Sequence, residues 1–107
     1  MSYAILWLPG AERDLEDIAD YIAEHDSAAS ALHVVERILD AAQSLSRFPE
    51  AGAHAHELVG LGIHEYRQVF FKPYRLIYRI AGKTVYVYLV ADGRRDMQGL
   101  LSRRLLR

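Results

Sequence analysis

Between His64 and Asp96 the chain runs through three β-rich segments joined by links that leave room only for tight turns. HEYRQVFF passes through Lys72-Pro73 into YRLIYRI, and Ala81-Gly82-Lys83 leads on to TVYVYLVA and DGRRD. Parallel neighbours need a crossover of about a dozen residues or more, so the short links between strands at 64–71, 74–81 and 84–91 favour an antiparallel meander. Strand side chains alternate between faces. In the middle strand, Tyr74, Leu76, Tyr78 and Ile80 therefore share one face, and Arg75, Ile77 and Arg79 the other. A face of aligned guanidinium groups is either a solvated outer face or a binding surface for something anionic.

The segments before the meander decide what covers it. Tyr3-Ala4-Ile5-Leu6-Trp7 reads as a strand, stopped by Pro9-Gly10. Residues 10–25 place Ala11, Leu15, Ile18, Ala19 and Ile22 on one helical stripe, with acids over the rest. Pro9 suits the first turn of that helix. Leu8 stands where a capping Ser or Thr is usual, and a missing cap costs about 1 kcal/mol. Asp26 or Ser27 opens a second helix over 28–47, with Ala31, Val34, Val35, Ile38, Leu39, Ala42 and Leu45 as its stripe. Phe48-Pro49 ends it, because the residue before proline disfavours the α region. Two helices joined by so short a turn form a hairpin whose apolar stripes must be buried, and the strands are the available surface. Residues 49–63 read as a loop with an extended piece at Glu57-Leu58-Val59, and a short helix is expected over Leu100–Arg107. The expected fold is α+β, in the order β-α-α-β-β-β, with the helical hairpin on one face of a mostly antiparallel twisted sheet. One domain spanning 1–107 is expected.

Composition narrows the chemistry. There is no cysteine, which excludes disulfides, a thiol nucleophile and a thiolate metal site. The N-terminus lacks the charged segment of a signal peptide, and the apolar run 85–91 is far too short to span a bilayer. A soluble cytoplasmic protein without cofactors is expected. Residues 1–63 hold three Lys or Arg against eleven Asp or Glu, whereas 64–107 hold ten against three. Such asymmetry points to an anionic partner for the second half, or to halves that neutralise each other in the fold.

The candidate contact residues are Arg67, Arg75, Arg79, Arg94 and Arg95, with Tyr66, Tyr74, Tyr78, Tyr86 and Tyr88 interleaved. Arginine grips phosphate and carboxylate through paired hydrogen bonds, and aromatic rings among basic groups can carry nucleic acid. His54, His56 and His64 are of a type that binds zinc, but no acidic or cysteine ligand is fixed beside them. His64 and Glu65 are the titrating groups of the basic half, and they form no compact acid–base pair. The two lysines, Lys72 and Lys83, fall in turns. No phosphate loop, nucleophile elbow or dinucleotide fingerprint is present.

Three stretches carry a family resemblance: YAILWLPGAERDLEDIADYIAEHDSAASALHVVERI, LSRFPEAG and EYRQVFFKPYRLIYRIAGKTVYVYLVADGRRD. In this order and spacing they resemble the RelE/ParE toxin superfamily over residues 3–96, and its ParE, or plasmid-stabilisation, branch in particular. The resemblance implies the toxin of a type II toxin–antitoxin pair. ParE-like members are associated with inhibition of DNA gyrase, whereas RelE-like members cut mRNA on the ribosome. A binding module that only holds an antitoxin is the third reading. By motif, the family's arginines that serve RNA cleavage fall on Arg75 and Arg95 and a lysine-bearing strand position falls near Arg67, while Arg79, Arg94, Tyr66 and Tyr78 complete the candidate contact set. The C-terminal tyrosine of the RelE-like pattern falls on Leu101, a departure that argues for gyrase. Leu8 replaces the serine often found before the proline. The resemblance further implies a ParD-like antitoxin whose apolar and acidic residues lie over the helices and sheet, pairing with Arg67, Arg75, Arg79 or Arg95.

Overall fold

A computed structural model describes residues 2–106. The elements are β1 (Ala4–Trp7), α1 (Pro9–His25), α2 (Ala28–Ser44), β2 (Ala53–His54), α3 (His56–Val59), β3 (Tyr66–Phe71), β4 (Tyr74–Ala81), β5 (Thr84–Asp92) and α4 (Met97–Leu105). The sheet order is β1-β5-β4-β3-β2. The hairpin α1–α2 carries the chain from one edge strand to the other, and β3, β4 and β5 then step back antiparallel. β5 finally lies parallel to β1.

The expected α+β fold is observed. The hairpin seals one face of the sheet, where Ala11, Ile38, Ala42 and Leu45 meet Leu76, Tyr78, Val85, Val87 and Val90. Ser27 caps α2 by accepting a hydrogen bond from the Ser30 amide, whereas Leu8 gives α1 no side-chain cap. The helix expected to reach Arg47 stops at Ser44, and residues 45–47 tighten into i→i+3 hydrogen bonds, as helix ends commonly do. Leu39, expected in the buried stripe, is 41% exposed. The sheet covers the Ile38–Ala42 side of α2 and leaves Leu39 at the rim of the α1–α2 groove.

Three features differ from the expectation. Glu57-Leu58-Val59 is helical, and the extended piece of that segment is Ala53–His54, paired with Gln68 and Arg67. Leu58 is fully buried from its position on α3, which gives that turn its reason to form. The last helix begins at Met97, where Asp96 accepts a hydrogen bond from the Gly99 amide. The expectation for this helix reached Arg107, which lies outside the described residues. Finally, the arginine-bearing face is not open. Ala55 and Leu58 join Met97, Leu100 and Leu101 over Tyr66, Ile77, Leu89 and Ala91, forming a second core on that side.

A β-bulge makes both cores possible. Ile77 pairs with Leu89, but Tyr78 pairs with Val87, so Tyr88 is the extra residue. The phase of β5 shifts there: Val85 and Val87 face the hairpin, as does Val90, while Leu89 and Ala91 face α3 and α4.

Candidate functional site

The arginines do not converge on one point. They divide into three environments, each set by the strand that carries them.

Arg75 sits in β4 opposite Phe70, and it is only 4% exposed. Its Nη1 donates to Glu57 Oε2 at 2.6 Å and its Nη2 to Glu57 Oε1 at 2.8 Å. Nη2 also donates to Gln68 Oε1. The hydrogen bond from Arg75 is the main reason the Glu57 carboxyl lies below the usual carboxylate range. The Arg75 Nε is buried and, among the described residues, has no partner. A face that carries Arg75 was expected to be solvated or to bind an outside anion. Arg75 itself is buried and held by a carboxylate of the same chain, whereas Arg79 of the same face lines a groove.

Arg67 and Arg79 line a groove of about 450 Å³ together with Tyr3, Glu50, His54 and His64. Arg67 Nη1 donates to the carbonyl oxygens of Gly52 (2.8 Å) and Glu50 (3.3 Å), and the Glu50 carboxylate stands 3.6 Å from Nη2. The rings of His54 and His64 meet edge-on with centroids 6.3 Å apart. His56 lies elsewhere, on α3, with its Nε2 3.4 Å from Glu57. Among the described residues no group of three or more His, Asp or Glu is placed to hold a metal ion. Tyr66 pairs with Arg79 across β3 and β4, and its ring meets Tyr88 edge-on at 5.2 Å. Burial, more than any neighbour, pushes the Tyr66 hydroxyl pKa up.

Arg94 and Arg95 lie beyond β5, beside a second groove of about 450 Å³ that includes Asp17, Tyr21 and Tyr74. Arg94 is held by Asp92, with Nε and Nη2 donating at 2.9 and 2.6 Å. That hydrogen bond is the first cause of the lowered Asp92 pKa. Arg95 is exposed and forms no direct ion pair among the described residues.

Tyr78 is fully buried, so it supports the groove from behind. Its hydroxyl donates to the Pro49 carbonyl at 2.7 Å and accepts from the Gly52 amide at 3.0 Å. A Cβ on Gly52 would stand 2.7 Å from that oxygen, so the position excludes side chains. This explains the spacing of Leu45, Pro49 and Gly52. Leu45 anchors the loop in the core, and the other two clasp Tyr78. Leu101, on the inner side of α4, is fully buried.

Sequence reasoning missed Glu57, Gln68 and Asp14. Asp14 is one of the acids set outside the apolar stripe of α1. Its Oδ2 accepts from the Val90 amide at 3.1 Å, beyond the register in which β1 pairs with β5. Both carboxylate oxygens also receive Arg104 from α4, each at 3.0 Å. One signal for Glu57 was available: it is the sole acid between residues 51 and 64, and a buried arginine needs a carboxylate.

A further exposed feature lies on the hairpin. Leu15, Ala19, Val35 and Leu39 line a groove of about 360 Å³ with Trp7. Leu32 nearby in α2 and Leu6 in β1 are 61% and 46% exposed.

Among solved structures, the chain resembles one titled as the chromosomal ParDE toxin–antitoxin system from P. aeruginosa. The TM-score is 0.71 at 19% identity, covering 85% of this chain and 96% of that one. It also resembles a chain of the toxin–antitoxin complex RelBE2 from Mycobacterium tuberculosis, with a TM-score of 0.63 at 21% identity, covering 86% and 99%. At these identities the likeness concerns the fold. No curated protein matches. Residues 5–97 match the family described as the ParE toxin of the type II toxin-antitoxin system, parDE, so the chain belongs to the ParE toxin family.

Proposed function

We propose that this toxin inhibits DNA gyrase by docking rather than by cutting nucleic acid, and that a ParD-like antitoxin neutralises it in the cytoplasm. The observation that carries this reading is the scatter of the guanidinium groups around a face whose centre is filled by α3, α4 and the buried Leu101. Cleavage of a phosphodiester needs proton donors, proton acceptors and charge stabilisers gathered on one reacting group. Arg75 is bound to Glu57, and Arg67 and Arg95 belong to different grooves. Docking has no such requirement. It needs exposed anchors with a polar rim.

The antitoxin reading draws on two surfaces. The apolar groove of the hairpin suits the nonpolar face of an added helix, and the Arg67–Arg79 groove suits acidic side chains. Among the described residues no helix is long and apolar enough to cross a membrane.

Expression of the chain alone in growing cells tests the proposal. Growth is expected to stop and plasmids to lose negative supercoiling, with both effects reversed by the antitoxin. Arrested growth with fully supercoiled plasmids would refute it. One observation favours a second reading, a ribosome-dependent ribonuclease: His54 and His64 place two imidazoles beside Arg67 and Arg79. Cleavage of mRNA on programmed ribosomes that is lost on replacing either histidine would establish that reading instead.

A further inference from the structure

The Arg75 environment is built like a ligand site, although the ligand belongs to the chain. Two guanidinium nitrogens meet two oxygens of one carboxylate in the paired geometry that arginine uses for carboxylates and phosphates. Gln68 reaches the same guanidinium from β3. The Phe70 ring lies 6.0 Å from its central carbon. Gly93 leaves room for the stem, since a Cβ there would stand 2.9 Å from Arg75 Cδ. With all this in place, Arg75 Nε still points to no acceptor among the described residues.

The element that supplies the carboxylate is slight. α3 has four residues, and Ala55 gives it no side-chain cap. So short a helix has no stability of its own and depends on what anchors it. Its anchors are Leu58 in the second core, the bond from Gln98 Nε2 to the Glu57 carbonyl (3.3 Å), and the Glu57 carboxylate on Arg75.

We propose that Arg75 is the centre of a latent oxyanion site, and that Glu57 is its resident occupant, keeping the sheet face closed. Removing Glu57, or lifting α3, exposes a preformed fork for a carboxylate or phosphate group. The unused Nε leaves the side edge of the guanidinium with a buried donor that Glu57 does not take. The proposal stands whether the target is gyrase or the ribosome, because it concerns occupancy of the site and not toxicity.

The test compares thermal unfolding of wild type, Glu57→Ala and the double variant Glu57→Leu/Arg75→Leu. Each is measured in sodium chloride, acetate and phosphate at equal ionic strength. Glu57→Ala strands a buried cation and is expected to melt about 10 °C or more below wild type in chloride. Acetate or phosphate should then raise its melting temperature by about 5 °C or more relative to chloride, whereas wild type and the double variant show no such rise. If Glu57→Ala is unfolded in chloride, refolding on addition of acetate or phosphate supports the proposal, and failure to refold in either refutes it. Glu57→Gln keeps the side-chain volume and still fills the space against Arg75, so it is expected to show no such rise. Equal responses in all variants would overturn the proposal.

Discussion

At the scale of single residues, the fold depends on a few polar side chains that the hydrophobic pattern cannot reveal. Tyr78 is the clearest. Alternation places it on the hairpin face, and only the structure shows that its hydroxyl joins Pro49 to Gly52. Tyr78→Phe should cost about 1–3 kcal/mol, because it strands a buried amide. Gly52→Ala should cost as much or more, through overpacking against that hydroxyl. Urea unfolding measures both. The pH dependence follows from the shifted groups. Glu57 and Asp92 have folded pKa values below their ordinary ones of 4.5 and 3.8. Their contribution is therefore complete above those values and is lost as the pH falls through the lower folded ones. Tyr66, Tyr74 and Tyr78 are raised above 10.0 by burial. Stability should therefore also fall once the pH rises past 10.0, where the unfolded chain releases protons first. Urea midpoints across pH should show both flanks, and Glu57→Gln should flatten the acid one.

At the scale of elements, periodicity served the helices and strands and failed in the loop and in β5. The stripes of α1 and α2 are long enough for their period to be unmistakable, and the short links favoured an antiparallel meander. α3 was misread as extended because four residues hold barely one helical turn, and it is Leu58 reaching the second core that makes them helical. The bulge at Tyr88 was hidden by the apolar run from Val87 to Ala91, which satisfies either phase. Once the bulge shifts that phase, both faces of β5 are apolar, and α3 and α4 have a surface to cover. The candidate contact residues were all visible as residue types. Their partners were not, since Glu57 lies 18 positions from Arg75. Two capping effects belong to this scale. Leu8→Ser should stabilise α1 by about 1 kcal/mol by supplying the missing acceptor. Asp14→Ala should cost about 1–3 kcal/mol, since it frees the Val90 amide and Arg104 together. Thermal unfolding reads both.

At the scale of the whole molecule, the acidic and basic halves partly neutralise each other. Arg67–Glu50, Arg75–Glu57 and Arg104–Asp14 all cross between residues 1–63 and 64–107. The part of the basic charge left at the surface includes Arg79 in the first groove and Arg95 at the β5–α4 turn. Partner binding through these charges should accelerate at low salt and slow as salt screens them. Replacing Arg67 and Arg79 with Ala should lower the antitoxin association rate and flatten its salt dependence, as measured by stopped-flow mixing. We propose that this ParE-family fold reaches gyrase through a docking surface. Supercoiling of relaxed plasmid by purified gyrase, with the protein titrated in, tests it most directly. Supercoiling should fall with added protein while DNA cleaved by gyrase accumulates. Full supercoiling at a large excess of folded protein, with no cleaved DNA, would contradict the account.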